Sequence, residues 1–154
     1  MTDDQAALLR EAYRRSEKRL ENQQALAIAF DSRSLLHAAV TVALLAYVVA
    51  NIDVGSAGGF FKGASLFLTV SVICAALSAI PTRLYTAGSS HSELSHLIDE
   101  GYPELSVIKG LAENNDRYIL RNDFSANLRV SIFRISTIFL ILGLALSLAG
   151  LALK

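Results

Sequence analysis

The stretch ISTIFLILGLALSLAGLAL, residues 135–153, carries no charged side chain and follows Arg134 without a break. It reads as a lipid-facing helix, and it is the most apolar of three such stretches. Residues 35–52 form the second, with His37 and Thr41 as their markedly polar side chains before the turn-like run from Asn51 to Gly59. At ~1.5 Å rise per residue that segment is about 27 Å long, close to the roughly 30 Å of a bilayer's hydrocarbon layer. Residues 64–80 form the third, with Phe60 and Phe61 at one edge and Pro81 at the other, where a missing amide hydrogen stops a helix.

Composition points the same way. Hydrophobic residues make up 53% of the 154, more apolar surface than a soluble domain of this size hides, and a membrane would cover it. A formal net charge of +0 argues against a nucleic-acid binder, which needs an excess of Lys and Arg on one face. Cys74 is the single cysteine, has no disulfide partner and reads as packing. The first thirty residues include Arg10, Glu11, Arg14, Arg15, Glu17, Lys18 and Arg19, too charged for a cleavable secretory signal. Tryptophan is absent, so an interfacial belt would come from Tyr47, Phe60, Phe61, Tyr85 or Phe133.

Arg14, Arg15, Lys18, Arg19 and Arg33 precede the first span. Arg83, Lys109, Arg117, Arg121, Arg129 and Arg134 lie between the second and third, and Lys62 and Lys154 fall on the other side. Cytoplasmic loops hold the basic excess. This predicts a multi-pass protein of the inner (plasma) membrane with its N-terminus and residues 83–134 in the cytoplasm and its C-terminus outside.

The segments between the spans show helical periodicity. Ala6, Leu9, Tyr13, Ser16, Leu20, Gln23, Ala27 and Phe30 alternate at spacings of three and four, as do Leu105, Ile108, Ala112, Asn115, Ile119, Asn122, Ala126, Arg129 and Phe133. Both are heptad seams with polar members. Both helices would enter the membrane from the cytoplasm, so they can run in parallel with Ser34 and Phe133 at one height. That register pairs Leu9 with Ile108, Ser16 with Asn115, Leu20 with Ile119, Gln23 with Asn122 and Ala27 with Ala126. Matched polar layers satisfy one another and fix register. Each seam packing with its own copy in a neighbouring subunit is the alternative.

The fold class that follows is an all-α integral membrane protein, three transmembrane helices with a cytoplasmic helical, coiled-coil-like stalk. Its parts are an amphipathic helix over 1–34 continuous with the span 35–52, an outer loop over 53–63, and the span 64–80. A cytoplasmic linker over 81–103 follows, containing a short helix opened by the capping box Ser90-His91-Ser92-Glu93. Gly101-Tyr102-Pro103 then restarts a helix over 104–134, continuous with the span 135–153.

Candidate chemistry is sparse. Asp31 and Arg33 sit below the first span, at the depth of Arg129 and Arg134 below the third. This interfacial charge cluster could lock two helices as an ion pair or stay solvated as anchors. His37 lies about a turn inside the boundary, where an ionisable group is a functional suspect, although a neutral imidazole bonded to a backbone or hydroxyl group on a neighbouring helix is the ordinary case. His91 and His96 are five apart, on different helix faces, with neither HExxH nor CxxC nearby, so no metal site is expected. Gly55, Gly58 and Gly59 are followed by no Lys-Ser or Lys-Thr pair, so no phosphate loop is expected, and neither is a cofactor or a partnered nucleophile. Small residues recur every four positions as Ala46 and Ala50, as Ser71, Ala75 and Ala79, and as Gly143 and Ser147, a spacing that lets helix backbones approach in lipid.

Taken together, a charged N-terminal helix, Phe30-Asp31-Ser32-Arg33 before a first span, a second span closed by Pro81, and an Asn-containing helix leading through Arg129 into another span resemble small bacterial membrane effectors. These are the transmembrane effectors of cyclic-nucleotide antiphage systems of the Pycsar type and their SLATT-domain relatives. The resemblance implies a homo-oligomer in the inner membrane that disturbs the bilayer and stops growth when a cytoplasmic protein or nucleotide signal arrives. No separate nucleotide-binding domain fits between the spans, which leaves residues 83–134 and the stalk as the surfaces that would read it. Two other classes fit the same layout, a holin-like phage protein and a membrane-anchored scaffold whose stalk binds a partner.

Overall fold

The computed structural model describes residues 3–52, 57–80, 84–86 and 99–153, and those residues are helical apart from short turns and connections. Three long helices carry the fold: α1, Asp3–Ala50; α2, Gly58–Ser78; and α3, Glu104–Ala152. Asp3 and Asp4 occupy the first turn of α1 and Glu104 that of α3, where carboxylates meet the positive end of the helix dipole. Before α3, Gly101 takes a left-handed φ of +73°, a conformation that costs glycine little. The Pro103 carbonyl then accepts from the amides of Ser106 (2.9 Å) and Val107 (3.3 Å). The capping box at residues 90–93, with His91, His96 and Pro81, lies outside the described residues.

The chain divides into two compact units. The first comprises Met1–Ile28 and Thr82–Ala126, the second Ala29–Pro81 and Asn127–Lys154.

In the first unit, α1 and α3 run side by side and parallel. Leu20 and Ile119 are buried, and so are Ser16, Asn115 and Asn122. Leu9, Ile108, Gln23 and Ala27 are half-buried, but Ala126, expected opposite Ala27, is exposed. A methyl group on each side is too short to close an interhelical gap that leucine and isoleucine fill one layer below.

The second unit is a three-helix bundle in which α2 runs against the other two. Its core holds Val48, Ala57, Phe61, Ala64 and Leu68, with Leu44, Leu45, Ile52, Leu140 and Leu146 packed around them. The buried positions of α2 are Gly58, Phe61, Ala64, Leu68, Ser71, Ala75 and Ser78, again a three-four alternation. Residues 58–63, assigned to a loop by the sequence reading, are helical. The reason is Phe61, which is fully buried with its ring against Gly150, where a Cβ would lie 3.4 Å from Cζ. That contact offsets the poor helix propensity of Gly58 and Gly59.

All three helices are long and apolar enough to cross a membrane, yet only 17%, 28% and 22% of their most apolar windows are buried within the chain. Leu36, Val40, Leu66, Ile73, Ile138, Ile141 and Leu148 face outward. In lipid such side chains gain little by moving between helices, so close van der Waals contact must hold the bundle. Gly143 provides it on α3, because a Cβ there would lie 2.8 Å from both Cγ and Cδ2 of Leu68. Gly143→Ala is therefore expected to destabilise the bundle by about 1–2 kcal/mol through overpacking, and Leu68→Ala in the same chain to recover part of it. Thermal unfolding of the detergent-solubilised protein reads both, and no recovery in the double variant would separate Gly143 from Leu68. The Ser71, Ala75 and Gly143, Ser147 ridges are spent inside this bundle, whereas Ala46 and Ala50 of α1 are exposed.

Candidate functional site

The polar side chains of the second unit gather in its interior. Arg129 of α3 is only 7% exposed at its side chain. It donates through Nε to the Ser78 carbonyl of α2 (2.8 Å), pairs through a terminal nitrogen with the Asp31 carboxylate of α1, and holds its guanidinium carbon 5.2 Å from the centre of the Phe30 ring. Phe30 meets Phe133 edge to face at 5.4 Å. One arginine thus ties all three helices together, with its positive charge neutralised and its apolar stem packed on an aromatic face. Asp31 is 31% exposed at its side chain, so the pair has one buried and one half-open end.

Of the four charges grouped in the sequence as one cluster, only these two meet. Arg33 and Arg134 are exposed and form no ion pair among the described residues. At 100° per residue, Arg33 is turned about 160° from Asp31 and Arg134 about 140° from Arg129, which takes both away from the interior.

A second layer is built from hydroxyl groups. Ser71 Oγ donates to the Ser136 carbonyl (2.9 Å) and Ser136 Oγ donates to the Ser71 carbonyl (2.7 Å). With both hydroxyl protons committed to carbonyls, Ser136 Oγ is left as an acceptor for a proton on His37 Nε2, 3.0 Å away. His37 also packs 5.0 Å from the Phe133 ring. Thr41 is buried and bonds back to the His37 carbonyl (2.8 Å). The Ser34 hydroxyl, between the two layers, is buried without a hydrogen-bond partner among the described residues.

In the first unit Asn115 Nδ2 donates to Ser16 Oγ (3.0 Å), and Asn122 Nδ2 donates to Gln23 Oε1 (3.2 Å). Gln23 Nε2 in turn reaches Asp123 Oδ1 (2.6 Å) and the Ile119 carbonyl (3.3 Å), and Arg19 pairs with the same Asp123 (3.0 Å). Asn122 also serves a third element: it accepts from the Tyr85 amide (3.0 Å) and donates to the Tyr85 carbonyl (2.9 Å), pairing with that backbone as another strand would. The Tyr85 ring stacks on Tyr118 at 4.7 Å, and Arg121 donates to its hydroxyl (3.2 Å). Near the start of α1, burial and a 2.5 Å hydrogen bond to Glu17 push the Tyr13 phenol up to about 12. Arg15, bonded to Glu11, holds that carboxyl below its ordinary value.

Sequence reasoning missed Ser71, Ser78, Tyr85 and Ser136. A signal for one of them existed. Asn115, Asn122, Arg129, Ser136, Gly143 and Gly150 recur at intervals of seven, and all six are buried, so the α3 seam extends well past Phe133. Nothing in the spacing pointed to the Ser78 carbonyl or to Tyr85.

No group of three His, Cys, Asp or Glu side chains placed to hold a metal ion occurs among the described residues. The arrangement offers buried, mutually satisfied polar groups inside an apolar shell. Breaking it would expose a cation, a carboxylate, an imidazole and three serine hydroxyls. No protein-family model matches the chain, and neither a curated protein nor a solved structure matches it.

Proposed function

We propose that the protein is an integral inner-membrane effector that assembles from several copies and perturbs or permeabilises the bilayer when a cytoplasmic signal, a protein or a nucleotide, acts on its charged helix pair. The supporting observation is the contrast between the outside and the inside of the second unit. Its outer surface is apolar over most of three helices, whereas Arg129, Asp31, His37, Ser71 and Ser136 are turned inward. Polar groups inside membrane helices are expensive and mark pathways or switches more often than structure alone. A rearrangement that opened this interior toward neighbouring copies would present a polar lining to water, in keeping with the role that the resemblance to Pycsar-type and SLATT effectors implies.

Inducible expression in bacteria carrying a membrane-potential dye tests the proposal. Depolarisation within minutes of induction or of signal delivery is expected. An intact potential, with the protein present in the membrane fraction and its signal supplied by a co-infecting phage, would overturn the effector reading and favour a membrane-anchored scaffold.

A further inference from the structure

Within the first unit, α1 and α3 face each other through Ser16–Asn115 and Gln23–Asn122, each pair 99 residues apart. The faces turned away from that seam are exposed: Arg14, Lys18, Glu21 and Ala25 on α1, and Glu113, Asp116, Arg117 and Phe124 on α3. None of these charged groups forms an ion pair within the chain among the described residues. Phe124 is 74% exposed, with Leu120 beside it at 69%, far more apolar surface than a water-facing helix ordinarily leaves open.

We infer that a second copy covers this surface, with the outer face of α3 in one copy packed on the outer face of α1 in the next. Copies inserted the same way into one bilayer stand at equal height, so residue n of α1 meets residue n + 99 of a neighbour's α3. That rule sets Glu113 opposite Arg14 and Phe124 opposite the small side chain of Ala25. Lys18 falls beside Asp116 on one flank and Glu21 beside Arg117 on the other, so every charge meets its opposite. A two-fold arrangement about the membrane normal fares worse, because it sets Arg14 against Arg14, or Glu113 against Glu113. Unlike faces in contact give a head-to-tail chain of subunits that closes into a ring when the rotation permits. The oligomer in the proposed function thereby acquires a defined interface and polarity.

The inference rests on the reading of the three apolar helices as membrane spans, and the test separates the two. Two differently tagged full-length copies, both carrying Cys74→Ala, are co-expressed, one with Ala25→Cys and the other with Phe124→Cys, and membranes are oxidised. Mixed cross-links roughly fivefold or more above either self-pair are expected from a head-to-tail contact. Self-pairs in excess, or no cross-link in a membrane fraction that contains the protein, overturn the interface. Protein absent from the membrane fraction overturns the membrane reading instead. Arg14→Glu with Lys18→Glu should lower the mixed product about tenfold, and Glu113→Lys with Asp116→Lys in the same chains should restore it. Unchanged yields through this series would remove the charge pairing from the inference.

Discussion

Asp31→Ala is expected to destabilise the purified protein by about 3–5 kcal/mol, because it leaves the Arg129 guanidinium buried without its counter-charge. Arg129 cannot simply be rehydrated where it stands, since its Nε is engaged by the Ser78 carbonyl and its side chain is 7% exposed. The informative comparison is the double variant Asp31→Ala/Arg129→Leu. An ion pair replaced on both sides by apolar groups of similar bulk is often neutral, whereas a pair broken on one side is not. The double variant should therefore be more stable than Asp31→Ala alone, a reversal that additive damage cannot produce. Denaturation in detergent micelles, followed by loss of helical signal, measures it. If the double variant is less stable than the single one, the two side chains act independently and the tie between the three helices is lost as an explanation. Were the reading of a sequestered polar interior right, Asp31→Ala would also leak ions before any signal arrives.

Asn122→Ala should cost about 2–4 kcal/mol, the second largest effect. The side chain holds three partners at once, namely the Gln23 amide oxygen and both the N–H and the C=O of Tyr85. Its removal strands groups in a setting where each unsatisfied donor or acceptor carries a penalty of ~1–3 kcal/mol, relieved where water enters. Hydrogen exchange distinguishes local from global loss. The Tyr85 amide should lose its protection while amides in the middle of α2 keep theirs. Asn122→Asp makes a sharper probe, because it preserves an acceptor for the Tyr85 amide but cannot donate to the Tyr85 carbonyl. An intermediate loss of protection is expected. Protection of Tyr85 unchanged in both variants would show that stacking on Tyr118 and the bond from Arg121 hold the segment without the asparagine.

These two sites show how unevenly the structure could be read beforehand. The three apolar stretches were legible because lipid imposes length and hydrophobicity on every residue of a span at once. The parallel register of α1 and α3 was legible as well, because a seven-residue repeat places polar seam residues at the same intervals on both helices. Ser16 with Asn115 and Gln23 with Asn122 are found at that register. Ala27 and Ala126 do not close on each other, since periodicity says where a side chain points and not whether it is long enough to touch. Arg33 and Arg134 were grouped with Asp31 and Arg129 by depth, and depth ignores the 100° turn per residue that sends them outward.

From its sequence alone this protein has three apolar helices, two heptad seams and the offset between them, all properties of periodic runs in which many residues repeat one weak preference. Only the tertiary structure decided which carbonyl Arg129 reaches, that Ser71 and Ser136 bond reciprocally beside His37, that Asn122 holds the backbone of Tyr85, and which faces are left uncovered. Each of those depends on a third chain segment arriving at one point in space. A hydrogen bond is made or lost within a few tenths of an ångström, a precision that no repeat along a single helix can encode.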